Sequence, residues 1–183
     1  LLFASFAGYA APQPIDTLAK ICKENNIFMI EDASGALSHP TLCNGNLSDI
    51  IVGSFGKWKI VDIGYGGFLS LKENCITQGV RDSDIFYLIK TKNIDYEALL
   101  EKLRKAPERL KFLLQKTKEI KQLCKKEKFS LIHENEEGGG IFIKYNTDKE
   151  KQKIVEFCKK NKIEYKECPL YIKVLEKAIS LEI

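Results

Sequence analysis

Asp32, Ser54 and Lys59 have the types and spacing to do chemistry on a carbonyl compound, and Lys57 supplies a second amine. The run "IFMIED" (Ile27–Asp32) carries Glu31 and Asp32 at its end. The run "DIIVGSF" (Asp49–Phe55) carries Ser54, and Lys59 follows that serine by five positions in a glycine-flanked loop. In "GSFGKWKIVDIGYGGFLSL" (Gly53–Leu71) both lysines stand among Phe55, Trp58, Ile60 and Val61. An apolar or cationic surrounding lowers the pKa of an amine and makes it a nucleophile at neutral pH. Phe55, Trp58 and the second amine of Lys57 are expected to act in that direction.

A carboxylate, a hydroxyl and an amine together suit pyridoxal phosphate. An amine condenses with its aldehyde, a carboxylate keeps the ring nitrogen protonated, and a hydroxyl donates to the phosphate. Plainer readings exist for each residue. An Asp at a strand end often caps a turn. "GYGG" (Gly64–Gly67) is most simply a turn, Trp58 fits a core, and Lys57 is an alternative to Lys59.

The elements that must position these groups follow from the apolar pattern. Leu2–Phe6 predicts a short strand. Pro14 predicts the start of a helix through Asn26, with Ile15, Leu18, Ala19 and Cys22 on one face. "IFMIED", "DIIVGSF" and "GGFLSL" (Gly66–Leu71) predict strands, apolar enough for a largely parallel sheet covered by helices. In such sheets ligands bind outside the carboxyl ends of the strands, where Asp32 and Ser54 fall.

Beyond Leu71 the character changes. Tyr96 to Lys126 predicts a long lysine-rich helix, with Pro107 starting a new segment or kinking it. "NEEGGG" (Asn135–Gly140) predicts a turn. "IFIKY" (Ile141–Tyr145) predicts a strand with Ile141, Ile143 and Tyr145 on one face and Phe142 and Lys144 on the other. Asp148–Lys160 predicts a helix with Ile154, Phe157 and Cys158 inward, and "IEYKE" one more strand. The expected organisation is a first domain over residues 1–95, then over 96–183 a long linking helix and a small α+β unit.

Composition excludes several classes. The 183 residues are 44% hydrophobic and 30% charged, which fits a globular chain rather than a disordered one. The apolar runs are too short to span a membrane, and "LLFASFAGYAAP" lacks the basic start of a signal peptide. The net charge of +4 comes from lysines mixed with glutamates, a solvated face rather than a nucleic-acid surface. Six scattered cysteines (Cys22, Cys43, Cys75, Cys124, Cys158 and Cys168) and two histidines form no zinc pattern. Unpatterned thiols lead us to expect a reducing cytoplasm.

The order "PIDTLAKICKENNIFMIEDASGA … SDIIVGSFGKWK … GYGGFLSL" resembles the DegT/DnrJ/EryC1/StrS aminotransferases, fold-type-I pyridoxal-phosphate enzymes that often act on keto sugars attached to nucleotides. The likeness covers residues 1–75 well and Pro107–Leu170 more loosely. It implies a partial fold-type-I sheet, mostly parallel and helix-covered. It implies Asp32 at the pyridine nitrogen, Ser54 at the phosphate and Lys59 as the Schiff-base lysine of the internal aldimine. It implies an amino donor and a keto-sugar substrate, and a homodimer or a complementing chain as partner. Nucleic acid, membrane and metal are not implied.

The departures are specific. The family's further N-terminal region has no counterpart. Gly35 stands where the family has Gln, Tyr65 replaces the Asp of the glycine turn, and Tyr171 in "CPLYIK" stands where the family has His. Lys92–Leu99 does not match the family's Asn-Tyr-Arg-Met stretch. These gaps leave a second expectation open: a truncated or degenerate relative that acts by binding or pairing, or needs a second chain.

Overall fold

The structure, a computed structural model, describes residues 1–73, 78–79, 94–170 and 173–182. It divides into two units, Leu1–Ser5 with Gln13–Leu110, and Phe6–Pro12 with Lys111–Ile183.

The first unit is built on a sheet of β1 (Leu2–Ala4), β4 (Ile30–Asp32), β5 (Ile50–Ser54) and β6 (Gly67–Leu71), in that order. The β1–β4 and β4–β5 pairs are parallel. The β5–β6 pair is antiparallel, with Ser54 opposite Gly67. Joining parallel neighbours takes a crossover of about a dozen residues or more, usually a helix. The chain from β5 to β6 forms a loop without a helix, so it returns as a hairpin. Two glycines make this hairpin possible: a Cβ on Gly53 would come within 2.1 Å of the Phe68 ring, and one on Gly67 within 2.3 Å of the Gly53 carbonyl oxygen.

Helix α1 (Ile15–Glu24) leads into this sheet, with Ile15 and Cys22 buried. Asp16 in its first turn and Lys23 in its last suit the helix dipole. It ends where the Asn25 side chain donates to the Ile21 carbonyl at 2.9 Å and Asn26 turns to φ +54°. The long helix α2 (Tyr96–Lys126) runs through Pro107 without starting a new segment.

The second unit carries the antiparallel sheet β7 (Ser130–Ile132), β8 (Ile141–Lys144), β10 (Ala178–Glu182) and β9 (Glu164–Cys168), in that order. Helix α3 (Asp148–Lys160) starts with a capping box between Thr147 and Glu150. Its Ile154, Phe157 and Cys158 join Cys124, Ile141, Ile143, Tyr145, Ile179 and Leu181 in one core. The alternation along β8 holds, but Phe142 is buried as well. It belongs to a second cluster on the other face, with Ala10, Cys168 and Ala178. Ala10 comes from the segment Phe6–Pro12, which forms the hairpin of β2 (Phe6–Ala7) and β3 (Ala11–Pro12). The segment lies so close to the "GGG" loop that Gly140 N–H donates to the Tyr9 carbonyl at 2.7 Å, and a Cβ on Gly138 would sit 2.3 Å from the Ala10 carbonyl oxygen.

No helix among the described residues is long and apolar enough to cross a membrane.

Candidate active site

Asp32 and Ser54 are the last residues of β4 and β5. The two strands are parallel neighbours, with Asp32 opposite Val52. The carboxylate and the hydroxyl therefore stand at the same carboxyl edge, where open α/β sheets bind ligands.

Each group is held by a local turn. Ser34 N–H donates to Asp32 Oδ1 at 2.9 Å. A carboxylate accepts about four hydrogen bonds, so this one does not exhaust it. Gly56 N–H donates to Ser54 Oγ at 3.0 Å. A hydroxyl that accepts in this way keeps its own proton to donate, as a phosphate requires.

Lys59 lies in the loop from β5 to β6, which is tied at its base. Phe55 N–H donates to the Gly66 carbonyl at 2.9 Å, Ile63 N–H donates to the Phe55 carbonyl at 3.0 Å, and Gly56 and Gly64 form a bridge. Phe55, Ile60 and Val61 are buried, and the Phe55 ring is 5.7 Å from that of Phe68. Lys57 is exposed, while Lys59 is half-buried.

Trp58 overturns an expectation. It is 91% exposed, so it is neither core nor an apolar wall against an amine. Its φ is +72°, a left-handed conformation that costs a non-glycine residue about 1–2 kcal/mol. The backbone turns here, and the ring lies in solvent.

Two carboxylates missed as site residues organise this region. The first is Glu31. Successive strand residues point to opposite faces, so Glu31 and Asp32 cannot both stand in the crevice. Glu31 is fully buried. Its Oε1 accepts from Ser5 Oγ at 2.7 Å and Cys43 N–H at 2.8 Å, and its Oε2 from Ser48 Oγ at 2.8 Å. Burial, and then the charge of Glu31, push the Cys43 thiol pKa up. The second is Asp62. Trp58 N–H donates to its Oδ2 at 2.9 Å and Gly64 N–H to its Oδ1 at 2.8 Å. The Trp58 N–H above all holds the Asp62 carboxyl below its usual range, helped by Gly64, Lys102 and Arg109. The Lys102 ammonium donates to the Asp62 carbonyl. The signal for Asp62 was the Asp-x-Gly turn of "DIG".

The departures are less informative. Gly35 offers no side chain where the resemblance has Gln, and Tyr65 is half-buried in the turn. Cys75, Tyr171 and residues 92–93 lie outside the described residues.

No family model matches the chain, and no curated protein matches it. Solved structures do. An alanine–glyoxylate aminotransferase from Nostoc sp. matches with a TM-score of 0.70 at 12% identity, over 99% of this chain and 55% of its own. A serine palmitoyltransferase from S. paucimobilis with bound PLP matches with a TM-score of 0.70 at 13% identity, over 100% and 49%. A DegT DnrJ EryC1 StrS aminotransferase from Brucella abortus matches with a TM-score of 0.66 at 11% identity, over 98% and 58%. The likeness is one of fold: the chain has a mixed α/β fold that matches part of the fold-type-I pyridoxal-phosphate transferases. Fold alone does not carry function. The chain spans about half the length of the structures it matches.

Proposed function

We propose that this chain is part of a pyridoxal-phosphate-dependent aminotransferase of the sugar-modifying type, with Lys59 as the residue that binds the cofactor covalently. The supporting observation is that Asp32 and Ser54 end adjacent parallel strands, with a half-buried Lys59 in the loop that follows. The donor set fits the cofactor. Asp32 would keep the pyridine nitrogen protonated, Ser54 would donate its hydroxyl proton to the phosphate, and Lys59 would hold the cofactor through its aldehyde carbon. When bound, pyridoxal phosphate supplies an electron sink for the carbon that bears the substrate nitrogen. Once the nitrogen of the amino donor replaces it and leaves its amine free, Lys59 would take the proton from the substrate carbon and return one, as general base and acid. The keto-sugar substrate and the amino donor follow from the sequence resemblance. So does the partner, a second copy of the chain or a complementing one.

A second reading is a relative that no longer turns over and acts by pairing. It is the reading left open by Gly35 and Tyr65, which stand where the family resemblance has Gln and Asp.

Borohydride trapping separates the two. The chain is incubated with pyridoxal phosphate, and borohydride adds hydride to the carbon of the C=N bond while solvent protonates the nitrogen. Digestion and mass spectrometry locate the label. One equivalent on Lys59, abolished in Lys59→Ala, is the expected result. No label, or label spread over exposed lysines, would overturn the first reading for this chain on its own.

A further inference from the structure

Two lysines separated by one residue compete for one reactive role, and the loop treats them differently. Lys57 is exposed and Lys59 half-buried. The residue between them, Trp58, turns the chain through φ +72°. None of the three is buried, so packing does not fix their path as it does for Phe55, Ile60 and Val61. The path is set by hydrogen bonding. Asp62 Oδ2 accepts from Trp58 N–H at 2.9 Å and Oδ1 from Gly64 N–H at 2.8 Å, so one carboxylate holds both limbs of the loop. The Lys102 ammonium bonds the Asp62 carbonyl and anchors the holder itself.

We propose that Asp62 is a positioning residue that presents Lys59, rather than Lys57, as the reactive amine, by holding Trp58 N–H and Gly64 N–H across the lysine loop. The proposal rests on the pyridoxal-phosphate reading above. Without this contact Trp58 relaxes to negative φ, where a tryptophan ordinarily sits. That rotation re-aims the residue after it, Lys59, and removes the difference between the two amines.

The test is the distribution of borohydride-fixed pyridoxal phosphate between Lys59 and Lys57, at limiting cofactor, in wild type, Asp62→Ala and Asp62→Asn. Charge-assisted bonds to backbone N–H groups are the stronger kind, so Asp62→Ala is expected to lower the Lys59:Lys57 ratio by about tenfold. Asp62→Asn keeps one acceptor oxygen and is expected to fall between. Trp58 is the only tryptophan of the chain, so fluorescence anisotropy reads the loop directly and should drop in Asp62→Ala. A folded Asp62→Ala with wild-type ratio and wild-type anisotropy would overturn the proposal. If Asp62→Ala does not fold, the ratio in Asp62→Asn decides: a drop supports the proposal and an unchanged ratio overturns it. If wild type takes no label on either lysine, the cofactor reading fails. The Trp58 anisotropy of the variants then decides whether Asp62 holds the loop.

Discussion

Ser5 bonds both members of the Glu31–Asp32 pair. Its hydroxyl donates to Glu31 Oε1 at 2.7 Å, and its backbone N–H donates to the Asp32 carbonyl at 2.9 Å. Glu31 also accepts from Cys43 N–H and Ser48 Oγ. One buried carboxylate thus ties the end of β1 and two points of the following loop to the strand that carries Asp32.

Breaking that tie should be costly. Gln at position 31 offers one acceptor oxygen and sets an amide donor against groups that already donate. An unsatisfied buried polar group costs about 1–3 kcal/mol, and we expect Glu31→Gln to lose about 2–4 kcal/mol in a urea titration. Ser5→Ala removes one donor and should lose about 1 kcal/mol. A Glu31→Gln chain as stable as wild type would contradict this account.

Asp62 should make the loop acid-sensitive. Its folded-state pKa is depressed by the Trp58 and Gly64 N–H groups, with the charges of Lys102 and Arg109 nearby. A depressed carboxylate contributes stability that is present above its unfolded pKa, about 3.9. That stability is lost as pH falls through the lower folded value. The urea midpoint of wild type should therefore exceed that of Asp62→Asn by a constant amount above about pH 5 and by a shrinking amount below about pH 4. A gap that stays flat down to pH ~2 would exclude Asp62 as a titrating holder.

Trp58 adopts a backbone conformation that glycine enters without steric cost, and its ring is 91% exposed. Trp58→Gly loses little burial and relieves left-handed strain, against some added freedom in the unfolded chain. We expect a gain of up to about 1 kcal/mol. Thermal unfolding monitored by circular dichroism reads it, since the substitution removes the fluorophore. A loss of more than ~1 kcal/mol would mean that the indole makes a stabilising contact.

Thiol chemistry should divide along burial. Cys124 is fully buried, and its thiol is pushed up to about 12, by burial first and then by Cys158. The thiolate is the nucleophile, so Cys124 should stay unmodified by iodoacetamide at pH 8 until the chain is denatured. Cys43 is half-buried and raised in the same direction, so it should react slowly but ahead of Cys124. Prompt alkylation of Cys124 in the native chain would show that its core opens readily.

Much of the fold could be read along the chain because it depends on neighbours in sequence. Helical periodicity in a lysine-rich stretch placed α2 over Tyr96–Lys126, and the inward spacing of Ile154, Phe157 and Cys158 placed α3 over Asp148–Lys160, where the structure adds the Thr147–Glu150 capping box. Apolar runs ending in Asp32 and Ser54 placed both residues at strand ends, which is where they stand. These are local properties: propensity and period.

What required the tertiary structure was which face each residue meets. Glu31 and Asp32 are adjacent carboxylates, and only the packing of Ser5, Cys43 and Ser48 around one of them decides which is sequestered. Phe142 looked like the outer face of β8 until the distant segment holding Ala10 covered it. Trp58, which reads as core or as an apolar wall beside the lysines, lies in solvent with its N–H bonded to Asp62. A linear pattern records how apolar a residue is and how it repeats. It does not record which remote group arrives to cover it, or which backbone N–H needs an acceptor.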